Sequence, residues 1–371
     1  MKVALFLPNL AGGGAERVFA LLANELAARG IDTEMVLARA EGPHLAAVAA
    51  TVRVVDLDVS GTRYSLVPLA RYLRRRRPDV LVAALGHANV VAVLARTLAR
   101  VRTAVVITHH LNLQPSGPSF QPRWWELLRA RFYPWADAIV AVSRDMADEL
   151  AARIGVPRSR IDVILNPVIT PELTVKADAP LDHPWFANGQ PPVVLGIGRL
   201  VQQKDFPTLL RSFMLLRRER PARLLILGEG EERAGLEALA RELGLADDFA
   251  MPGFVENPYA YMRRAAVFVL SSLYEGLPTV LIEALALGTP VVSTDCMSGP
   301  REILEDGRLG RLVPVGDFET LAAAIIATLG ETSVPAPAEH LRPYRQAEAT
   351  DNYIRLFQRV IDARQPSARR S

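Results

Sequence analysis

Short apolar, β-branched runs alternate along the chain with longer stretches whose apolar positions recur every three or four residues. The runs predict strands at residues 2–7, 33–37, 52–57, 80–84, 104–108, 138–141 and 161–165. The longer stretches predict helices near 15–29, 65–76, 88–100 and 144–153, the last with Ser143 as N-cap. Strands this apolar, separated by helices, imply a parallel sheet covered on both faces. Residues 166–192 break the pattern with Pro167, Pro171, Pro180, Pro184, Pro191 and Pro192, and read as an interdomain linker. The alternation then restarts. It predicts strands at 193–197, 224–227, 267–270, 291–293 and 311–313, and helices near 205–218, 231–243, 258–264, 279–287 and 318–329. A final helix spans about 347–363. The pattern is therefore two doubly wound α/β halves, and such halves bind ligands at the carboxyl ends of their strands. With two of them, the cleft between is the expected site.

Composition adds limits. The chain has 371 residues, half of them hydrophobic, which suffices for two cores and excludes a disordered chain. Its net charge of +3 is too small for a nucleic-acid partner. Cys296 is the sole cysteine, so no internal disulfide or thiolate zinc site forms, and a reducing cytoplasm fits. The first residues read as a strand, not a signal peptide. The longest apolar stretch, 80–95, carries Gly86, His87 and Asn89 and falls short of the ~20 apolar residues of a spanning helix. Lysine stands only at Lys2, Lys176 and Lys204, so 43 − 3 = 40 of the cations are arginine. With heavy alanine use, that bias fits a GC-rich genome better than a dedicated anion surface.

Four constellations carry candidate chemistry. The first strand runs into Gly12-Gly13-Gly14-Ala15-Glu16-Arg17 as a helix begins. Glycines there let backbone approach a ligand, and free amides favour an anion. The G-x-G-x-x-G spacing of a dinucleotide fold is absent, and a tight βα turn is the competing reading. Gly196-Ile197-Gly198-Arg199 precedes Lys204-Asp205 on the next strand exit. Arg199 and Lys204 can grip a diphosphate, the arginine as a fork and the lysine as a point charge. Gly228-Glu229-Gly230 reads more readily as a structural turn. The fourth is the most specific. Glu275-Gly276-Leu277-Pro278-Thr279 leads into a helix with Glu283 one turn inside. Two carboxylates flanking a helix N-terminus suit a polyhydroxylated phosphate ester such as a nucleotide sugar.

In this order and spacing, and with Pro252-Gly253-Phe254-Val255 between them, these motifs resemble the retaining glycosyltransferases of family 4, over nearly the whole chain. The resemblance implies a GT-B fold. Its N-terminal acceptor domain would be 1–170, with 350–371 packing back on it, and its nucleotide-sugar domain 171–349. It implies that Arg199 and Lys204 hold the diphosphate, Glu275 the sugar hydroxyls and Glu283 the ribose. Gly198, Gly228, Phe254, Val255, Gly276, Leu277, Pro278 and Thr279 would line the donor. Gly13 and Gly14 would approach the donor, and Gly12, Glu16, Arg17 and His109 the acceptor. A histidine after a strand faces the reacting sugar in this family. Either His109 or His110 fits, and nearby Asn112 favours His110 as catalytic. No metal or other cofactor is implied. Retention without an evident nucleophile is consistent with a front-side route, the leaving phosphate helping to deprotonate the acceptor.

Residues 294–303 resemble a branch acting on polyprenyl-diphosphate-linked saccharides, often with UDP-N-acetylgalactosamine; Met297 departs from the small residue or proline common there. A lipid-linked acceptor would give a use to Arg74-Arg75-Arg76-Arg77, which follow an apolar stripe of Leu66, Leu69, Ala70 and Leu73. Such a basic amphipathic helix suits an anionic surface on the inner face of a membrane, while a solvated helix end is the alternative. Competing functions are a GT-B nucleotide-sugar 2-epimerase, which turns over donor without acceptor, and a non-catalytic nucleotide-sugar-binding protein.

Overall fold

The computed structural model describes residues 1–11, 14–110, 123–331 and 335–364, with no side chains considered at 123–126. The chain divides into two units. Unit 1 comprises Met1–Val168 with Pro343–Ser371, and unit 2 comprises Ile169–Arg342.

In unit 1 the order is β1 (Lys2–Leu7), α1 (Gly14–Ala28), β2 (Asp32–Leu37), β3 (Arg53–Asp56), α2 (Leu66–Arg76), β4 (Val80–Ala84) and α3 (Gly86–Ala99). Then follow β5 (Ala104–His109), α4 (Arg123–Phe132), β6 (Ala138–Ala141), α5 (Arg144–Ile154) and β7 (Ile161–Val163). The sheet runs β3-β2-β1-β4-β5-β6-β7, all parallel. Ser143 caps α5 as its sequence signals, accepting from the Met146 amide at 3.2 Å.

Unit 2 comprises α6 (Glu172–Ala177), β8 (Val193–Ile197), α7 (Phe206–Glu219), β9 (Arg223–Leu227), α8 (Arg233–Glu242), β10 (Phe249–Gly253), α9 (Tyr259–Arg264) and β11 (Val267–Leu270). It continues through α10 (Thr279–Ala286), β12 (Val291–Thr294), α11 (Pro300–Ile303), β13 (Arg311–Val313), α12 (Phe318–Leu329) and α13 (Ala338–Leu341). Its parallel sheet runs β10-β9-β8-β11-β12-β13, the same winding as unit 1. Both sheets reverse strand order beside their first strand, at β1/β4 and at β8/β11. Chain leaves in opposite directions there, which opens a crevice at the carboxyl ends.

The last helix, α14 (Gln346–Arg364), returns to unit 1. Tyr353, Leu356 and Phe357 join Leu5, Phe19 and Leu22 in the unit 1 core, and Arg29 of α1 pairs with Asp351. Unit 2 has a separate core around Leu209, Phe213, Ile226, Val269 and Ile325.

Three sequence expectations need correction. Residues 166–192 are not an open linker. They hold α6, whose carbonyls accept hydrogen bonds from Asn257 (to Lys176, 2.7 Å) and Arg264 (to Ala177, 3.1 Å) of unit 2. β10 was not expected as a strand. Its Phe-Ala-Met-Pro-Gly has little β-branching and lies half-buried at a sheet edge, where a proline is tolerated. The arginine run stays exposed, but part of it is engaged and the apolar stripe beside it is not free. Arg76 pairs with buried Glu34, while Arg74 donates to the carbonyls of Leu98 (2.7 Å) and Ala99 (3.3 Å). Leu69, Ala70 and Leu73 are buried, so that apolar stripe is covered within unit 1. Among the described residues, no helix is long and apolar enough to cross a membrane.

Candidate functional site

The unit 2 crevice is built by the exits of β8 and β11. β8 ends at Ile197, and Gly198-Arg199-Leu200 lies against the turn after β9. A Cβ on Gly228, whose φ is +143°, would stand 1.9 Å from the Gly198 carbonyl oxygen, and one on Gly230 would stand 2.3 Å from that of Leu200. These glycines let two strand exits touch backbone to backbone. Gly228, expected at the donor, therefore has a packing reason of its own. Glu229 beside it turns to Arg233 on the surface.

Lys204 then folds back over Gly198, with its Cε 3.1 Å from where a Cβ would sit. Its Nζ donates to Glu275 Oε1 at 2.5 Å. The same oxygen accepts from Ser272 Oγ at 2.7 Å. The loop carrying Glu275 is tied down on both sides. Gln203 Nε2 donates to the Tyr274 carbonyl (2.9 Å), Ser271 Oγ to the Lys204 carbonyl (2.7 Å), and Thr294 Oγ1 to the Ser272 carbonyl (2.7 Å). Arg199, at the β8 exit, is exposed, and its guanidinium has no hydrogen bond or ion pair among the described residues. A fixed lysine–carboxylate pair and an uncommitted guanidinium thus share one strand-end crevice. Cys296 lies near both; burial first, then the Glu275 carboxylate, pushes its thiol up to about 12, so it stays a neutral thiol. Asp205, at φ +46° ahead of α7, accepts from the Thr208 amide at its backbone carbonyl (3.1 Å), and burial holds its carboxyl above the usual carboxylate range.

α10 starts at Thr279 without a side-chain cap, leaving amides at its first turn. Gly276, Leu277 and Pro278 are buried under the β12 exit, where a Cβ on Gly299 would meet Pro278 Cδ at 2.6 Å. Glu283 is only 1% exposed and accepts from the Tyr259 hydroxyl at 3.2 Å. Phe254 is 77% exposed on the segment after β10, and Val255 is half-buried. Sequence reasoning missed Ser272 and Tyr259. Both are ordinary strand-end and helix residues, and only the fold brings them to the two glutamates.

In unit 1, Gly12 and Gly13 lie outside the described residues. Gly14 opens α1, and a Cβ there would meet nothing within 4 Å. Glu16 and Arg17 on the first turn are half-buried, and the charge of Arg17 adds to burial in holding His44 low. His109 ends β5, and both it and His110 are buried. The Thr108 hydroxyl donates its one proton to the Ala83 carbonyl (3.0 Å), so the 3.0 Å contact to His110 assigns the proton to its Nε2. Nδ1 is then a lone-pair acceptor with no partner among the described residues. Burial pushes His110 down to about 4, so the ring is neutral near pH 7. Asn89 holds the strand end, donating to the Thr108 carbonyl (2.9 Å) and the Tyr133 hydroxyl (3.1 Å). Buried Arg129, also missed, lies against Gly86 at the β4 exit, next to Leu85 in a left-handed conformation. Asn112 lies outside the described residues. Among the described residues no three His, Cys, Asp or Glu side chains are grouped to hold a metal ion.

Two Rossmann-like units with these strand-exit crevices define the GT-B class of glycosyltransferase. The chain belongs to glycosyltransferase family 4: residues 12–171 match the family described as Glycosyltransferase Family 4, and residues 181–344 that described as Glycosyl transferases group 1. It is 31% identical to the lipopolysaccharide core biosynthesis glycosyltransferase LpsE of Rhizobium meliloti, over 93% of this chain and 96% of that one. It is 28% identical, over 86% and 88%, to a Campylobacter jejuni N-acetylgalactosamine-N,N'-diacetylbacillosaminyl-diphospho-undecaprenol 4-alpha-N-acetylgalactosaminyltransferase. A 35% identical stretch is shared with an uncharacterized glycosyltransferase of Methanocaldococcus jannaschii, and it spans 47% of this chain but only 43% of that protein. Among solved structures, Anabaena HepE in complex with UDP and glucose matches with a TM-score of 0.77 at 20% identity, covering 97% of this chain and all of that one.

Proposed function

We propose that this glycosyltransferase moves a hexose or N-acetylhexosamine from a UDP-linked donor to a lipid-linked saccharide, with retention at the anomeric carbon and without a metal ion. The Lys204–Glu275–Ser272 triad beside free Arg199 carries this reading. Arg199 and Lys204 neutralise the departing diphosphate, and the first amides of α10 add their dipole. Glu275 accepts from sugar hydroxyls and Glu283 from the ribose, while Phe254 offers a face to the nucleobase. In unit 1, Gly12, Glu16, Arg17 and His109 bind the acceptor, Gly13 and Gly14 approach the donor, and neutral His110 accepts a hydroxyl hydrogen bond at Nδ1. The acceptor oxygen bonds to the anomeric carbon as the carbon–oxygen bond to the diphosphate breaks. A diphosphate oxygen takes the proton.

The names of the relatives support the acceptor class, and the UDP held by HepE supports the donor. A peripheral position on the inner membrane face follows from such an acceptor. The test is a thermal-shift screen of UDP, GDP and ADP sugars, followed by radiolabel transfer to a polyprenyl-diphosphate saccharide and NMR of the new linkage. Acceptor-dependent transfer from a UDP sugar with an unchanged anomer is expected. Donor epimerisation without acceptor, or binding without turnover, would overturn the reading.

A further inference from the structure

The opposite edge of unit 1 has a second concavity. A pocket of 760 Å³ lies where β4 and β5 begin, lined by Arg74, Arg77, Asp79, Arg100, Arg102 and Arg364 together with apolar and backbone groups. Strands of five and six residues separate this edge from the carboxyl-end crevice, roughly 16–20 Å.

Many described arginines of this protein pair with carboxylates, as Arg29, Arg96, Arg217, Arg233 and Arg359 illustrate. The pocket differs. Among the described residues, Arg74, Arg77, Arg100 and Arg102 pair with no carboxylate. Asp79 accepts from the Lys2 amide at 2.7 Å, and Arg364 is held by Asp137 at 2.5 Å. Helix ends account for part of the cluster: Arg74 donates to the end carbonyls of α3, and Arg77 to the Arg74 carbonyl in the last turn of α2.

The backbone adds a second observation. Arg77 and Arg100 are the C-caps of α2 and α3, at φ +46° and +55°. Glycine takes that conformation without strain, and the chain uses arginine at both. The two strained caps place on one pocket two guanidinium groups that have no carboxylate partner among the described residues. Among the described residues no aromatic side chain lines it, so those residues offer no platform for a base. The volume exceeds a single phosphate and lies in the range of ligand sites, roughly 300–1,000 Å³.

We propose that this pocket binds an anion carrying two or more phosphate charges, gripped by guanidinium forks. That chemistry is shared by a free polyphosphate and by the headgroups of an anionic bilayer. The test replaces Arg77 and Arg100 by glycine in the full chain. R77G/R100G removes two cations and relieves both left-handed caps, so its melting temperature is expected to be unchanged or higher. A second variant, Arg102→Ser, touches no cap. In one arm, sodium tripolyphosphate is titrated calorimetrically at low salt. In the other, protein is sedimented with phosphatidylcholine vesicles containing phosphatidylglycerol. Loss of one tripolyphosphate site, or a tenfold weaker one, in both variants assigns a free anion. Loss of vesicle binding alone assigns a headgroup. Equal binding by wild type and both variants in both arms overturns the proposal.

Discussion

The two units wind their sheets identically, yet the glycines at their strand exits do different work. In unit 2, Gly228 and Gly230 let one strand exit press against another, backbone to backbone. In unit 1, a Cβ on Gly14 would touch nothing. The same residue type therefore marks a packed joint in one half and open space in the other. The acidic and basic groups differ in the same way. Unit 2 presents a closed lysine–carboxylate–hydroxyl set, whereas unit 1 presents a buried neutral histidine with one free lone pair.

The contrast can be broken at several points. Gly228→Ala should have the largest effect, a loss of about 3 kcal/mol or more in chemical denaturation, because a Cβ meets a backbone oxygen at a left-handed φ. A loss under 1 kcal/mol would make the joint a loose one. His110 gives the next effect. Its proton affinity is lower folded than unfolded, so stability is full above about pH 6.5 and falls as pH drops toward 4. The loss is roughly 3 kcal/mol. In His110→Phe, the acid limb of melting temperature against pH should flatten accordingly. Lys204→Ala and Glu275→Ala should each cut turnover at least ~100-fold with the fold retained. Near-wild-type rates in both would sink the proposed site. Lys204→Arg asks whether charge alone suffices, and full activity would say so. Ser272→Ala should cost about tenfold in kcat by loosening Glu275. Gly14→Ala should leave the melting temperature unchanged or slightly raised, since the helix gains about 0.5–1 kcal/mol from alanine. An accompanying rise in KM would place a ligand in that space.

Much of this was legible in the chain. Apolar runs gave both sheets apart from one edge, because buried parallel strands are apolar throughout, and period-3.6 patterns gave the longer helices other than α4. The edge strand β10 escaped because a half-buried edge tolerates proline and glycine. The helix α6 escaped because prolines around it read as a linker. Of the site, Lys204 and Glu275 were legible from their place at strand exits, but their direct contact was not, since 71 residues separate them. Ser272, Tyr259 and Arg129 carry no local signal, and only the sheet order brings them to their partners. Spacing in the arginine run does not say which of its cations find carboxylates or carbonyls in the rest of the unit.

The Lys204–Glu275 contact has one further consequence. At rest, each group serves as the other's ligand, so the pair itself carries no net charge. On the proposed reading, a donor must offer replacements for both at once: phosphate for the lysine and hydroxyls for the carboxylate. A spent nucleotide offers only the first. It draws the lysine away and leaves the glutamate with Ser272 alone, so the resting pair reforms at its expense. The contact thereby acts as a built-in competitor that the spent nucleotide displaces less well than the intact donor does. It favours clearance of the nucleotide after each transfer.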